Sequence, residues 1–358
     1  MRKIMNRTLL ACSLFFVLSA WIIGCNTDRE KEAQQLELPS PDKTDATNDF
    51  YDNEVTWPLP LSEIEVGGET EETLTIDLNS LPLHSVIVKE TVWTPDSNRF
   101  VGAYRYDGPS LYDILNRCPL KKKNADRFNP VIDAYVEISN DKGERVLFSW
   151  GEIYYPIHRH EIIIGTRVMQ IVPSKTKDYW PLPEEPRMVV ASDLLTERNI
   201  ENPGRITIRS LDREFTVNRD LNPLYSPSVN VYSNNSGIFE IHEMPELAPV
   251  TYPNIFYGRG KGIHAVTPFT GVILREILMP HFPVTVDALR TGMFTVAAAD
   301  GYRAAFTYSE VMNRNDQSEA LLVGDGNENG GRFRIYPAAD FFSDRAIKAV
   351  TGIWYDNL

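Results

Sequence analysis

The chain has few cysteines, three in 358 residues, at Cys12, Cys25 and Cys118. The first two belong to an apolar N-terminal segment, which leaves Cys118 as the single thiol of the folded part. One thiol forms neither an intramolecular disulfide nor a zinc site built from cysteines. A chain of this length does not need a disulfide, because it buries a large core without one.

The chain also lacks positive charge. It has 36 lysines and arginines against 49 aspartates and glutamates, a formal net charge of −13. An acidic surface repels nucleic acids and anionic lipid headgroups. The composition therefore argues against DNA or RNA binding. It also means that any attachment to a membrane has to come from something other than a basic patch.

The N-terminus carries a specific targeting signal. Three basic residues among the first seven precede the apolar run 9–18, which leads to Gly24 and Cys25. A basic start and a short apolar core are typical of a secretory signal and too short for a mature membrane span. The site resembles the lipobox of bacterial lipoproteins, with Ile23 where Ala or Ser is commoner. That resemblance implies removal of residues 1–24 and lipid attachment, including palmitate, at Cys25.

The lipobox implies a protein of the cell envelope, anchored by lipid on the extracytoplasmic side of a bacterial membrane. Residues 25–54 are rich in Asp, Glu, Lys, Asn, Pro and Gln, and such a segment buries too little apolar surface to fold. We predict a flexible tether there. A plain signal peptide or an anchor helix is the alternative for the N-terminus.

The rest of the chain contains an internal repeat. Residues 143–153 and 301–311 match without a gap, sharing a Gly, an Arg, a Phe and a Glu at equal positions. Upstream, residues 108–115 resemble residues 271–278 in the same order. We predict two tandem domains, 55–210 and 237–358, joined by a connector. That connector, residues 211–236, is rich in Asn, Ser and Pro.

The secondary-structure pattern indicates an α+β fold. Short alternating segments typical of strands outnumber segments with helical spacing, and the two kinds mix irregularly. Residues 109–117 and 271–278 have the spacing of apolar residues expected for helices. Turn clusters that end at Gly143 and Gly301 predict a hairpin in each repeat.

The order of these segments resembles the oxidoreductase molybdopterin-binding domain, the catalytic fold of sulfite oxidase. The resemblance covers most of residues 72–357 and implies mixed sheets with short helices, twice. In the first repeat it depends on Leu81-Pro82, 106–115, 141–145 and 187–190. In the second repeat it depends on 269–278, 300–303, 331–337 and 348–353.

The cysteine that binds molybdenum in this family is missing. The corresponding stretches, residues 88–93 and 254–258, contain no cysteine, and Cys118 lies where the family keeps no ligand. We therefore expect no cofactor and a module that binds a small ligand or an envelope protein. The alternative is a molybdopterin-dependent oxidoreductase with an atypical site in the second domain. A structural envelope subunit is a third hypothesis.

A glycine-rich loop supplies the candidate anion or cofactor pocket. Residues 256–264 contain three glycines, which let a backbone approach a ligand closely, and the cationic donors Arg259, Lys261 and His264. Arg99 occupies the corresponding loop of the first repeat. A glycine-rich turn with solvated cations is the alternative interpretation.

Three other patterns favour structural roles. His158 and His160 would share one face of a strand, but no third ligand is identifiable, so we predict no metal site. The acidic loop 324–331 lacks the ligand spacing of a calcium loop. The repeated pairs Glu152/Glu310 and Arg145/Arg303 indicate a shared ion pair or helix cap rather than catalysis.

Overall fold

The computed structural model describes residues 54–173, 175–324 and 331–358. The predicted signal, Cys25 and nearly all of the tether lie outside the described residues, as do residues 325–330 of the acidic loop. Among the described residues, no helix is both long and apolar enough to cross a membrane.

The fold is mostly β, with 41% of residues in strands and 12% in helices. Its four larger sheets are arranged as a four-bladed β-propeller. The α+β prediction of two tandem sulfite oxidase-like domains is therefore wrong. The error has a physical cause: apolar spacing over one turn does not reveal how long a helix is. Within the predicted helix 271–278, the first residues belong to a strand.

The helices of the described part are all short. They are α1 Leu111–Leu115, α2 Trp150–Tyr154, α3 Leu274–Leu278, α4 Val286–Thr291 and α5 Tyr308–Met312. Single 3₁₀ turns occur at Leu78–Ser80, Val131–Asp133 and Ser343–Arg345.

The strands fall into two consecutive series. The first series is β1 Trp57–Pro58, β2 Glu63–Gly68, β3 Leu74–Asp77, β4 His84–Val92, β5 Arg99–Gly108, β6 Ala134–Ser139, β7 Arg145–Ser149, β8 Ile162–Gly165, β9 Arg167–Gln170, β10 Arg187–Val190 and β11 Arg205–Ser210. The second series is β12 Val229–Ser233, β13 Ser236–Ile241, β14 Val250–Tyr252, β15 Phe256–Gly258, β16 Gly262–Ala265, β17 Phe269–Ile273, β18 Gly292–Ala298, β19 Arg303–Thr307, β20 Leu321–Gly324, β21 Phe333–Tyr336 and β22 Val350–Asn357.

Each series builds one five-stranded sheet with the same plan. The orders are β3-β2-β11-β6-β7 and β13-β12-β22-β18-β19. In each sheet one pair of strands is parallel, β2 with β11 and β12 with β22. The remaining larger sheets are β1-β9-β5-β4 and β14-β17-β20-β21, and two-stranded sheets pair β10 with β8 and β15 with β16. The sequence repeat thus coincides with a repeated strand order.

The predicted hairpins, β6–β7 and β18–β19, end both five-stranded sheets. Their turns contain Gly143 and Gly301, both with positive φ, where a side chain would strain the backbone. The edge strands β7 and β19 cover one another, since Leu147 packs against Met293 and Ala305. Neither edge is left open to pairing with another chain.

The helices α2 and α5 follow these edge strands and begin with the same capping box. Ser149 caps α2 and Thr307 caps α5 by accepting a hydrogen bond from the backbone N–H of Glu152 and Glu310 respectively. Each glutamate in turn accepts from the backbone N–H of its cap. Four N–H groups that a helix start would leave unpaired are satisfied in this way. The cap predicted from the repeated glutamates is confirmed.

Each cap also bonds the glutamate of the other helix. Ser149 Oγ donates to Glu310 Oε2 at 2.7 Å, and Thr307 Oγ1 donates to Glu152 Oε1 at 3.0 Å. All four side chains are buried. The two helix starts therefore form one crossed hydrogen-bond network between the two five-stranded sheets.

A buried arginine neutralises each glutamate. Arg198 contacts Glu152 at 3.0 Å and Asp193 at 2.7 Å, and its guanidinium lies 4.6 Å from the ring of Phe148. It also donates to Thr307 Oγ1 at 3.3 Å. Burial alone would lower the pKa of Arg198, but the two carboxylates hold it above its ordinary value.

Arg345 repeats this arrangement in the second series. It contacts Glu310 and Asp340, both at 2.6 Å, and lies 4.6 Å from the ring of Phe306. Its Nη1 donates to Ser149 Oγ at 3.3 Å. Each arginine thus binds its own glutamate and the hydroxyl that caps the other helix.

The second repeated pair, Arg145 and Arg303, is not equivalent in the structure. Arg145 is exposed and pairs with Glu137 at 3.2 Å, whereas Arg303 is buried and pairs with Asp133 at 2.9 Å. The prediction that both copies keep one shared arginine role is therefore wrong. Equal positions in a hairpin do not guarantee equal surroundings, because neighbouring segments decide which face is covered.

We expect replacement of Arg198 by Met to destabilise the protein strongly, because two buried carboxylates would lose their cation. Removing one partner of a buried pair costs about 3–5 kcal/mol. Denaturant unfolding of the purified protein measures the change. The matched control is Arg145→Met, which removes an exposed pair worth about 0–1 kcal/mol. Equal losses in both variants would contradict the role given to Arg198.

Candidate functional site

Two histidines and one aspartate meet outside the arginine network, which we define as Arg198 and Arg345 with the carboxylates and hydroxyls that they bind. They are His84, Asp113 and His160, and one potential ligand atom of each lies within 4.8 Å of the others. His84 Nε2 is 2.7 Å from Asp113 Oδ2, and His160 Nδ1 is 3.6 Å from the same oxygen. Each side chain is partly buried, with 19–29% of its surface exposed.

Three separate segments bring these residues together. His84 is the first residue of β4 and pairs with Gly108 at the end of β5, directly before α1. Asp113 lies within α1. His160 lies in the segment between α2 and β8 and has φ 68, in the left-handed region. The strand pairing and the start of α1 therefore fix two of the three side chains, and the backbone turn fixes the third.

Ser110 connects the cluster to the start of α1. Its Oγ accepts from the backbone N–H of Asp113 at 3.1 Å and lies 2.8 Å from Asp113 Oδ2. It also lies 2.9 Å from His160 Nδ1. The hydroxyl has one hydrogen, so it can donate to only one of these two partners at a time. When it donates to Asp113, His160 Nδ1 carries the proton, and that imidazole is the donor.

Aromatic stacking holds the histidines. The rings of His84 and His160 are parallel to within 6°, with centroids 4.0 Å apart. His160 also makes an edge contact with Tyr112, which packs against Tyr154. Tyr154 in turn stacks on Trp150, the first residue of α2. A continuous column of rings thus joins the cluster to the helix that the arginine network caps.

The stacking limits how the two imidazoles can bind one metal ion. The lone pair of an imidazole nitrogen lies in the plane of the ring, and two parallel planes share no point. Binding through both His84 and His160 therefore requires one ring to rotate about its Cβ–Cγ bond.

The electrostatics of the cluster favour a neutral imidazole. Burial lowers the pKa of His160 below its ordinary value, and the nearby His84 and Arg159 lower it further. Asp113 acts in the opposite direction without reversing the shift. A neutral imidazole is the form that binds a metal ion.

A small pocket adjoins His160. Its volume is about 30 Å³, and its lining includes Tyr112, His158, Glu161 and Arg314. One water needs about 10–15 Å³ by the same kind of measure. The pocket therefore has room for one or two water molecules beside the cluster, but not for an organic substrate.

The sequence-based pair His158 and His160 is not the pair that the fold brings together. Both line the small pocket, but His158 is exposed and does not join the group formed by His84, Asp113 and His160. Residues 157–161 are not a strand, so their side chains do not alternate between two faces. His84 and Asp113 were missed because they are 29 residues apart in the chain and belong to no local motif.

The predicted anion pocket lies elsewhere. Arg259 and Lys261 are in the exposed turn between β15 and β16, and His264 is exposed on β16. Arg259 lies 3.5 Å from Asp344. Arg99 is the exposed first residue of β5. Anion binding by these four residues stays a prediction.

Cys118 is buried just beyond α1, and its Sγ lies 3.9 Å from the carbonyl oxygen of Ile114. Burial raises the pKa of the thiol. A buried neutral thiol behaves as a small apolar side chain. Cys118 is therefore a structural residue of the core.

Comparison with known proteins gives only weak structural similarity. No family model and no curated protein matches the chain. Among solved structures, the chain is similar to the sulfane dehydrogenase SoxCD from Paracoccus pantotrophus, with 9% sequence identity over 82% of this chain and 80% of that chain. The TM-score is 0.27. A similarity this weak defines neither fold nor activity, so the chain is assigned to no family.

We expect the thiol of Cys118 to be unreactive in the folded protein. The test uses a Cys12→Ser, Cys25→Ser variant, so that Cys118 is the remaining cysteine, and a chromogenic disulfide reagent near the ordinary thiol pKa of about 8.5. Labelling should be slow in buffer and complete in guanidinium chloride, because the reactive thiolate is disfavoured by burial. Rapid labelling of the folded protein would contradict the assignment.

Proposed function

We propose that the protein is a lipid-anchored protein of the cell envelope that binds a divalent transition-metal ion through His84, Asp113 and His160. The observation that supports this is the convergence of two imidazole nitrogens and one carboxylate oxygen within 4.8 Å. Imidazole and carboxylate ligands suit Zn²⁺, Cu²⁺, Ni²⁺ and Fe²⁺. Three protein ligands leave a further position for water or for a ligand of a receiving protein.

Metal binding is favoured over catalysis on an organic substrate because of size. Sites for small molecules are typically clefts of about 300–1,000 Å³. The pocket beside His160 has a volume of about 30 Å³, enough for water alone. We therefore propose that the ion is held or transferred. An envelope protein that donates or receives it is the partner expected from the sequence.

The ion should bind with high affinity to the purified protein and be lost when a ligand is removed. Calorimetric titration with Zn²⁺ and with Cu²⁺ measures this for the wild type and for His84→Asn, Asp113→Asn and His160→Asn. Each substitution should weaken binding by more than the ~10–100-fold loss typical of groups outside the ligand set. Binding should also weaken at acidic pH, because protons compete for the two imidazoles.

Two control variants show whether a loss of affinity is specific to the proposed ligands. His242→Asn removes an exposed histidine that pairs with Glu240, and it should leave affinity unchanged. His158→Asn compares the sequence-based pair with the structural cluster and should also have little effect. A loss of binding in His158→Asn together with normal binding in His84→Asn would contradict the proposed ligand set. Stoichiometric molybdenum, found by elemental analysis, would instead support the molybdopterin-dependent alternative.

The membrane attachment that we propose depends on Cys25. With a net charge of −13, the chain offers little electrostatic attraction to anionic lipids, so acyl chains would supply the binding energy, about 0.8 kcal/mol per buried CH₂. Cys25→Ser should abolish incorporation of labelled palmitate and release the protein from the membrane fraction. Cys118→Ser should remain labelled and membrane-bound. Labelling that persists in Cys25→Ser would refute the anchor.

A further inference from the structure

A second pocket opens on another part of the surface. It has a volume of about 450 Å³, and it is lined by Lys123, Asn124, Asp126 and Arg127, by residues 210–215 and by Arg303 of β19. The pocket therefore brings together segments from both series of strands. Its volume lies within the range of sites that bind small molecules.

Two buried cations, of which Arg303 lines this pocket, share one buried carboxylate. Lys122 and Arg303 contact the same carboxylate, Asp133, at 2.6 and 2.9 Å. Their side chains are 4% and 3% exposed, and that of Asp133 is 0% exposed. One carboxylate balances one cation, and a buried charge without compensation is costly. Glu69 adds a weaker attraction for Lys122.

Burial shifts the pKa of both cations in the same direction. Burial lowers the pKa of Lys122 although Asp133 acts against it, and burial also lowers the pKa of Arg303. Arginine does not lose its proton in proteins, so Arg303 keeps its charge. Its guanidinium lies 4.2 Å from the ring of Phe128 and 5.4 Å from that of Phe215. The cation is thus held rigidly at the pocket by two aromatic rings.

Arg213 provides a further donor. It pairs with Asp356 at 2.9 Å, while its Nε is buried and finds no acceptor among the described residues. A buried donor without an acceptor costs about 1–3 kcal/mol. Arg213 and Arg303 both line the pocket, so an anion there would lie beside two guanidinium groups.

The charged side chains at the rim of the pocket form weaker, exposed ion pairs. Lys123 lies 3.6 Å from Asp212, and Arg127 pairs with Glu214, and all four side chains are mostly exposed. Exposed pairs of this kind contribute about 0–1 kcal/mol. A ligand can therefore draw both cations away from their carboxylates at little cost.

We propose that this pocket binds a phosphate group, carried by inorganic phosphate or by a small phosphate monoester. Arginine presents several donors in a planar fork that matches the oxygens of phosphate. The volume of about 450 Å³ exceeds the need of the bare ion, so a phosphate monoester fills the site better. Phe215 supplies an apolar surface for the organic part. This proposal is independent of the metal site.

Calorimetric titration of the metal-free protein with inorganic phosphate and with phenyl phosphate tests the proposal. Saturable binding of one equivalent is expected, with the ester bound more tightly. Arg127→Ala should weaken binding about tenfold, equivalent to ~1.4 kcal/mol. The matched control is Arg205→Ala, because Arg205 forms a similarly exposed pair with Glu65 at 2.9 Å but does not line the pocket.

A variant of the inner wall completes the test. Arg303→Met removes the excess charge and leaves Lys122 paired with Asp133, so it should weaken phosphate binding about tenfold or more while the protein stays folded. If Arg303→Met does not fold, the proposal is tested by comparing the phosphate affinities of Arg127→Ala and Arg205→Ala. Equal losses in those two variants would mean general attraction of anions and would overturn the proposal. So would the absence of saturable binding at millimolar phosphate. Tighter binding of inorganic phosphate than of the ester would overturn the assignment to a monoester.

Discussion

Two arginines, Arg198 and Arg345, lie where the two five-stranded sheets meet, and the rest of the fold is arranged around their charges. Each is fully buried with its two carboxylates, a state that is stable only when nearly every donor and acceptor is paired. The hydroxyl caps of α2 and α5 complete that pairing across the interface. Loss of one member would leave a charge from the other sheet without its partner.

The candidate metal site depends on this network indirectly. Glu152 contributes to the lining of the small pocket beside His160, and α2 leads directly into the segment that carries His160. The ring column from Trp150 to His160 continues the same connection through side chains. The network therefore fixes the orientation of α2, and α2 with its aromatic side chains positions one of the three ligands. Asp113 and His84 are positioned separately by α1 and β4.

The sequence alone predicted what is local and periodic. The hairpins at Gly143 and Gly301 and the capping glutamates all depend on neighbouring residues, so the sequence pattern predicts them. The longest strand, β5, was not predicted, because Gly102, Arg105 and Asp107 interrupt its alternation. The excess of strands over helices was expected, but the α+β class was wrong because five-residue helices look like longer ones in a sequence.

The metal cluster and the phosphate pocket could not be predicted for a different reason. Their residues come from segments that are far apart in the chain, and only the strand pairing of the folded protein brings them together. The burial of Arg303 could not be predicted either, because Arg145, the equivalent residue of the first hairpin, is exposed. Burial is a property of the surroundings rather than of a motif.

The crossed caps have a consequence for biosynthesis. The two hydrogen bonds that exchange partners between α2 and α5 join residues 161 and 155 positions apart. A ribosome adds residues at about 5–20 per second, so α2 waits many seconds for its partner to emerge. During that time Glu152 lacks the hydrogen bond that it accepts from Thr307, and Ser149 lacks its acceptor Glu310. We expect the interface between the two five-stranded sheets to form only when synthesis is nearly complete.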